Sequence, residues 1–206
     1  QVSPRKLMDA LAGAVVGNGC EVVIGKAVGV EVEGDVVKAV KAEYEDKKWT
    51  LPCSALVLGM GAWARDAADW FPESAMPRDT VASRYTSVIW DDVEVGKDAT
   101  MVFVSAEHHV EIYARADECY ANGCPTETEL PDNPLDIVPP PQTIEDVKAE
   151  TCTAVERLKN ANVIRTTACF LAGSEDHRPV IGLVPKMKNA VIACGGGCWG
   201  ILNGPA

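Results

Sequence analysis

Several protein classes are excluded by what this sequence lacks. Its 206 residues contain no run of 18 apolar residues, so no segment is long enough for a transmembrane helix. Basic residues are few, since 19 Lys and Arg stand against 30 Asp and Glu, giving a formal net charge of −11. A chain this acidic is repelled by phosphate backbones and anionic lipids, which argues against nucleic acid or a membrane surface as partner.

Cysteine pairs with zinc-binding spacing are also missing. The eight cysteines contain no CxxC pair and only three histidines are present, so we expect no metal site. Scattered cysteines in a domain of this size are more typical of a reduced cytosolic protein than of a disulfide framework. The sequence therefore predicts a cytoplasmic protein without a metal.

The first 63 residues have the pattern of a nucleotide-binding α/β layer. A helix is predicted from Pro4, with Ser3 as its N-cap and glycines 17 and 19 as its stop. Short β-like runs follow at 20–24, 27–34, 35–45 and 48–52, with turn residues between them. The run SALVLGMGAW (54–63) is continuously apolar, which predicts a strand buried on both faces that ends at Gly59 and Gly61.

The middle of the chain has a different character. The runs at 81–90, 100–105 and 107–115 alternate polar and apolar residues, as in an open antiparallel sheet with one wet face. A proline-rich connection (130–142) leads into a helix for which Thr143 is the predicted cap. Buried strands are predicted again at 162–170, 179–185 and 189–194. The fold class is therefore α/β (α+β), with the two ends of the chain in one layer and the middle in another.

Two glycine-rich segments directly follow predicted strands. In GMGAW (59–63) and CGGGCWG (194–200), glycines let the backbone approach a ligand closely, although a packing turn is the alternative for the first. ILNGPA, which follows the second segment, could open a helix whose N–H groups point at a ligand. A flexible terminus is the alternative there, and it fits poorly with apolar residues that we expect to be embedded: Trp199, Ile201 and Leu202.

Three stretches carry a resemblance to a known superfamily: VLGMGAW, RTTACFLAGSEDHRPVIGLVP and VIACGGGCWGILNGPA. In order and spacing they resemble the FAD-dependent oxidoreductases of the D-amino-acid oxidase, glycine oxidase and sarcosine oxidase superfamily. The opening VSPRKLMDAL is similar to that family's P-R-x-L-x-x-A-L helix. The signature CWGILNGPA resembles a eukaryotic branch of the superfamily rather than a named amine oxidase.

The resemblance implies a division of labour along the chain. Residues 1–76 and 162–206 would form part of an FAD-binding, Rossmann-like domain with a β-meander. Residues 77–161 would form a substrate-binding cap built on a mixed, mostly antiparallel sheet. The implied reaction is hydride transfer from the carbon of an amine or amino-acid C–N bond to the flavin, followed by hydrolysis of the imine. Oxygen or another electron acceptor then reoxidises the flavin.

Cofactor-binding residues are implied by position in the same resemblance. Gly59, Gly61 and Trp63 would lie near the ribityl chain or the ring edge. The second segment would donate N–H groups to the pyrimidine end of the ring, where reduced flavin carries negative charge. The residues assigned to it are Gly195, Gly196, Gly197, Cys198, Trp199, Gly200 and Ile201.

The remaining candidates are one cysteine and three substrate-binding residues. Cys169, seven residues before Asp176, matches the cysteine that sarcosine oxidases bond covalently to flavin, and a buried strand cysteine is the alternative. The substrate candidates are Arg84, Tyr113 and Arg115, for each of which a surface or cross-strand role is the alternative. Leu171 stands where amino-acid oxidases carry an Arg, which weakens the case for a carboxylate-bearing substrate.

The superfamily's dinucleotide fingerprint, GxGxxG after the first strand, is absent. The resemblance thus implies that the ADP-binding half precedes Gln1 and that a further helix follows Ala206. We therefore expect an internal fragment that binds FAD weakly or not at all and is inactive alone. The alternative hypothesis is a non-catalytic interaction or regulatory module that keeps the fold without a flavin.

Overall fold

The computed structural model describes residues 2–74, 76, 80–91, 101–115 and 118–204. The chain divides into two compact units, one of Gln1–Thr80 with Ser174–Ala206 and the other of Val81–Gly173. Helices and several mostly antiparallel sheets occur together, which confirms the predicted α+β class. Among the described residues, no helix has the length and apolar character needed to span a membrane. The assignment of residues 1–76 and 162–206 to FAD binding, and of residues 77–161 to substrate binding, remains a prediction.

The first helix, α1 (Pro4–Gly17), begins as the sequence predicts. The Ser3 side chain accepts a hydrogen bond from the N–H of Lys6, and Pro4 occupies the first helical position, where no N–H is needed. Helix α1 buries none of its residues, and its apolar side chains Met8, Leu11 and Val15 are exposed. The prediction of a strand at 20–24 is wrong, because this segment pairs with no strand in the described chain.

A three-stranded antiparallel meander follows in the order β1-β2-β3. Its strands are β1 (Lys26–Glu33), β2 (Val36–Tyr44) and β3 (Lys47–Pro52). The turn between β1 and β2 uses Gly34 at φ 62°, a left-handed conformation that glycine adopts without a steric penalty. The predicted β-meander is therefore present.

The second sheet of this unit has the order β10-β11-β4. Its strands are β4 (Leu56–Leu58), β10 (Val180–Leu183) and β11 (Ala190–Cys194), with β4 and β11 parallel. Leu58, Ala190 and Ile192 belong to a core shared with Val37 and with alanines of the 3-10 helix Gly61–Trp70. The prediction that both faces of β4 are buried is wrong, because Val57 is 70% exposed in the described chain. A single helical turn, α3 (Gly200–Asn203), closes the described part of this unit.

Asn189 connects the meander to this second sheet. Its side-chain oxygen accepts the Val37 N–H at 2.8 Å, and its amide donates to the carbonyls of Val37 (2.8 Å) and Ser54 (2.9 Å). Three backbone groups of distant segments are thereby satisfied by one side chain. The parallel pair is held at a fixed position against β2.

The other unit is a five-stranded sheet in the order β6-β7-β8-β5-β9. Its strands are β5 (Thr80–Trp90), β6 (Met101–Phe103), β7 (Glu111–Ala114), β8 (Cys119–Glu127) and β9 (Val163–Ser174). Helix α2 (Pro141–Ala154) and the 3-10 turn Glu156–Asn160 pack on one face through Val147 and Leu158. The prediction that residues 162–170 are buried was wrong, because β9 lies at the edge of the sheet and much of it is exposed.

Helix α2 starts three residues earlier than the sequence suggests. Pro140 is the N-cap and Pro141 the first helical residue, because a proline needs no N–H partner there and has a φ already suited to the helix. Thr143 is therefore not the cap. Its hydroxyl donates instead to the Pro140 carbonyl at 3.0 Å and lies 2.6 Å from the Thr86 hydroxyl of β5.

Candidate functional site

Two glycine-rich segments, far apart in sequence, follow two neighbouring parallel strands. In the parallel pair, Ala190 lies opposite Leu56 and Ile192 opposite Leu58, so β4 and β11 end at the same edge of the sheet. Strand β4 leads into residues 59–61 and β11 into residues 195–197. We call these two segments together the glycine edge. Open α/β sheets bind ligands outside the carboxyl ends of their parallel strands, which is where the glycine edge lies.

Left-handed backbone conformations occur at three glycines of this edge. Gly61, Gly195 and Gly197 have φ values of 54°, 70° and 54°. Residues with a Cβ adopt such values only at a cost, so a substitution there would be strained. At Gly196 a Cβ would come within 3.0 Å of the Gly200 Cα, so the loop also packs tightly on itself. Backbone conformation at three of these positions, and close packing at the fourth, therefore explain why glycine occupies them.

Gly59 differs from the other glycines of the edge. It has no positive φ, and a Cβ placed on it would meet nothing within 4 Å. The described chain therefore gives neither a conformational nor a steric reason for glycine at this position. A ligand that lies against the backbone at residue 59 would give one.

Apolar side chains next to the second segment are exposed. Trp199 is 62% and Ile201 47% exposed, and Cys198 and Gly200 also lie at the surface. The expectation that Trp199, Ile201 and Leu202 are embedded was therefore wrong for the described chain. Trp63 is half-buried in the 3-10 helix that follows β4. Exposed aromatic and aliphatic groups beside open backbone are a surface suited to a flat apolar ligand.

In the other unit, tyrosines lie on the sheet face opposite helix α2. Tyr113 of β7 is paired with Tyr120 of β8, and their ring centres are 5.8 Å apart. Asn122 is paired with both Glu111 and Ser87 on neighbouring strands, so these side chains share the same face. We call this side of the sheet the tyrosine face.

Polar contacts fix the side chains of the tyrosine face. The Arg115 guanidinium carbon lies 4.4 Å from the Tyr120 ring centre and the group pairs with Glu118. Tyr113 donates its hydroxyl hydrogen bond to Glu111. The hydroxyls of Tyr120 and Ser87 are 2.8 Å apart. Two of the three predicted substrate residues, Tyr113 and Arg115, are thus brought together around Tyr120.

Sequence reasoning missed Tyr120. In the sequence, Tyr120 lies two residues before Asn122, a spacing that places both side chains on one face of a strand. The structure adds that Tyr120 pairs with the candidate Tyr113. Burial raises the pKa of Tyr120, an effect that the Ser87 hydrogen bond and the Arg115 charge oppose. The phenol therefore stays neutral and able to donate a hydrogen bond at neutral pH.

Arg84 does not join the other two substrate candidates. Alternation along β5 places Arg84 with Thr86 and Val88, and Val88 packs in the core beneath α2. Arg84 therefore lies on the opposite face from Tyr113. Its Nε atom is buried and has no hydrogen-bond partner in the part of the chain that the structure describes. Asn122 Oδ1, on the tyrosine face, is also buried and unpartnered there.

Cys169 is an exposed residue of β9, so the interpretation as a buried strand cysteine was wrong. Atoms around the thiol nevertheless desolvate it, which raises its pKa. A charge on Cys169 also contributes to the raised pKa of Tyr120, so the two side chains lie within electrostatic range. The structure therefore brings Cys169 near the tyrosine face.

The whole sequence matches a known family. The sequence model described as FAD dependent oxidoreductase matches residues 1–206. The chain belongs to the FAD-dependent oxidoreductase family. This membership confirms the predicted D-amino-acid oxidase superfamily. FAD is the cofactor after which the family is described. At the glycine edge, Gly59 and Gly61 are exposed, Gly196 and Gly197 are partly exposed, and Gly195 is buried.

Solved structures similar to this FAD-dependent oxidoreductase chain agree in fold. L-proline dehydrogenase from P. horikoshii is 20% identical to this chain, with a TM-score of 0.79. The match covers 97% of this chain and 51% of the dehydrogenase chain. Glycine oxidase from Geobacillus kaustophilus is 18% identical with a TM-score of 0.81, covering 100% of this chain and 52% of its own. Iminodiacetate oxidase from Chelativorans sp. is 16% identical with a TM-score of 0.75, covering 98% and 51%. The chain thus spans about half the length of the structures it matches.

Proposed function

We propose that this chain is the part of an FAD-dependent oxidoreductase that holds the flavin ring and presents an amine or amino-acid substrate. The observation that carries the proposal is the glycine edge, where two glycine-rich segments with left-handed backbone conformations follow the ends of β4 and β11. Family membership supplies the cofactor class. The names of the similar structures, a proline dehydrogenase, a glycine oxidase and an iminodiacetate oxidase, support the substrate class.

The flavin, when bound, would accept a hydride from the carbon of the substrate C–N bond. Gly195, Gly196 and Gly197 would present backbone N–H groups to the pyrimidine end of the ring, where negative charge develops. These donors are fixed by the loop itself, so little reorganisation is needed at the moment of reaction. Gly59 and Gly61 would leave room for the ribityl chain or the ring edge, with Trp63 beside them.

On the tyrosine face, Arg115 and Tyr113 are the proposed substrate contacts, with Tyr120 as a third. Arg115 already pairs with Glu118, but a guanidinium has five N–H donors and can bind a second anion or a carbonyl at the same time. The neutral Tyr120 hydroxyl can donate to a substrate oxygen. Arg84 lies on the opposite face, so its proposed contact with substrate would require a different binding position from that of Arg115.

Cys169 is proposed as a residue that could bond covalently to the flavin, in a C–S bond that would replace the thiol S–H and one flavin C–H. The two electrons would pass to the flavin and then to oxygen or another acceptor, and the protons to solvent. Its exposure on β9 makes the thiol accessible, while desolvation raises its pKa and keeps the thiolate population low at neutral pH. Attachment would therefore be slow and favoured by alkaline conditions. Denatured protein that retains flavin after precipitation would support it, and complete release of the flavin would contradict it.

The test is an anaerobic titration of the complete gene product with a panel of amines and amino acids. Bleaching of the visible flavin absorbance by a panel member supports an amine or amino-acid oxidoreductase. Peroxide on admission of oxygen then identifies an oxidase, and its absence a dehydrogenase that passes electrons to another carrier. A complete protein that neither contains nor binds flavin would support the flavin-free module instead.

A further inference from the structure

Three side chains with different donor atoms converge behind the sheet of the Val81–Gly173 unit. The ligating atoms of His108, Cys124 and Asp146 all lie within 4.8 Å of one another. They come from the turn before β7, from β8 and from helix α2. Cys124 is 6% exposed, and it packs in the core under α2, on the opposite side of the sheet from the tyrosine face. This cluster is therefore separate from the proposed substrate contacts.

Backbone contacts hold the three residues in place. The Cys124 N–H donates to the His108 carbonyl at 2.8 Å, and the His108 N–H donates to Glu150 Oε2 at 3.2 Å. Gly123 lets β8 approach this turn, since a Cβ there would lie 2.9 Å from the His108 oxygen. Cys124 itself has a φ of 55°, an unfavourable value for a residue with a Cβ. The surrounding structure thus imposes the position of the thiol.

The electrostatic surroundings of Cys124 are negative. Asp146 accepts a hydrogen bond from the Gln142 amide at 2.8 Å, which orients its carboxylate. Glu150 Oε1 is buried and has no hydrogen-bond partner in the described part of the chain. Burial first, then the charges of Asp146 and Glu150, raise the pKa of Cys124 to about 11. The two carboxylates, Asp146 and Glu150, close to a buried thiol favour a cation at this position.

We propose that His108, Cys124 and Asp146 form a binding site for a divalent transition-metal ion, with Zn²⁺ as the best-matched metal. One nitrogen, one sulfur and one carboxylate oxygen are the donors that Zn²⁺ takes in proteins. Ligand atoms in a tetrahedral zinc site lie about 3.3–3.8 Å apart, so the three must draw together by about 1 Å. Cys124 would lose its proton to solvent as its sulfur bonds the metal. A water molecule would complete the tetrahedral coordination.

Such a site would tie α2 and the turn before β7 to strand β8. It revises the expectation of no metal, which was based on the absence of CxxC pairs. The ligands here are separated by 16 and 22 positions along the chain and belong to three elements, so no short sequence motif contains them.

The test is a titration of the reduced complete chain with Co²⁺, which substitutes for Zn²⁺ and gives a near-ultraviolet band when a thiolate binds it. We expect the band in the wild-type protein and in Cys152→Ser, a matched change of a half-buried cysteine on α2. We expect its loss in Cys124→Ser. A band that persists in Cys124→Ser, or no band in the folded wild-type protein, would overturn the proposal.

A second measurement keeps the test valid if Cys124→Ser does not fold. Asp146→Asn changes a half-buried residue on α2 and preserves an oxygen that can accept from Gln142. Competition against a chromophoric chelator should show Zn²⁺ affinity at least tenfold weaker in Asp146→Asn and in His108→Gln. His109→Gln, a change of the adjacent exposed histidine, should leave the affinity unchanged. Equal affinities for all four proteins would contradict the site.

Discussion

The guanidinium of Arg115 lies over the ring of Tyr120, with 4.4 Å between the guanidinium carbon and the ring centre. The same group pairs with Glu118, so its position on the tyrosine face is fixed from two sides. A cation held in this way is preorganised to meet an anionic or carbonyl group of a substrate, because little side-chain entropy remains to be lost.

Replacing Arg115 should weaken substrate binding more than the chemical step. For Arg115→Leu in the complete protein, we expect KM to rise by about 10- to 100-fold, the loss typical of one charged hydrogen bond. The value of kcat should change much less, because the hydride acceptor is untouched. Steady-state kinetics would check this, with Arg165→Leu on the exposed part of β9 as the control. Unchanged KM in Arg115→Leu would remove Arg115 from the substrate site.

Because the pKa of Tyr120 is raised in the folded protein, folding stability should fall at alkaline pH. Since the folded state holds the phenol proton more tightly, its stabilising effect is complete below the ordinary tyrosine pKa of about 10 and is lost as pH rises above it. Several cysteine thiols with raised pKa values act in the same direction. Tyr120→Phe should therefore show a smaller fall in urea midpoint between pH 8 and pH 11 than the wild type. An identical fall would show that Tyr120 is not protected from ionisation.

Asn189 should be one of the most stabilising polar residues of its unit. Asn189→Ala removes three hydrogen bonds and leaves the Val37 N–H and two carbonyls to find other partners. We expect a loss of about 2–3 kcal/mol of unfolding free energy, measured by urea titration. Asn160→Ala, at an exposed position outside the sheets, should cost less than about 0.5 kcal/mol. A comparable effect of the two changes would contradict the connecting role.

Replacing glycine by alanine should have opposite effects on folding stability in α1 and at the glycine edge. Gly13 lies in the exposed helix α1 with open space around it, so Gly13→Ala should stabilise the protein by about 0.5–1 kcal/mol. Gly197 has a φ of 54°, so Gly197→Ala should destabilise it by about 1 kcal/mol. Thermal unfolding of both variants checks this pair. A stabilising Gly197→Ala would mean that the loop does not hold the left-handed conformation.

The sequence was most informative where the pattern is local. Helix α1 follows from Ser3 and Pro4, and the meander follows from alternating residues separated by turns, because caps, turns and alternation act over a few neighbours. The two glycine segments were recognised one at a time. That they lie side by side depends on the parallel pairing of β4 with β11, which brings together residues from opposite ends of the chain.

Other features depend on which face of an element is covered, and local pattern does not determine that. The apolar run at 162–170 forms an edge strand, so it is less buried than its composition suggests. Arg84 and Arg115 are both polar residues of predicted strands, yet alternation along β5 puts Arg84 on the α2 side. The cluster of His108, Cys124 and Asp146 was missed for the same reason, because it exists only once three elements pack together.

The proposed function requires a flavin that lies against the glycine edge, and a substitution at Gly59 tests this position most directly. A Cβ at residue 59 would meet nothing within 4 Å in the described chain, and Gly59 has no positive φ, so Gly59→Val should fold normally. In the complete protein, FAD titration should show Gly59→Val binding at least tenfold more weakly than the wild type. Gly29→Val, which also adds a side chain in open space but on β1, should bind FAD like the wild type. FAD affinity equal in Gly59→Val and the wild type would contradict the proposed position of the flavin.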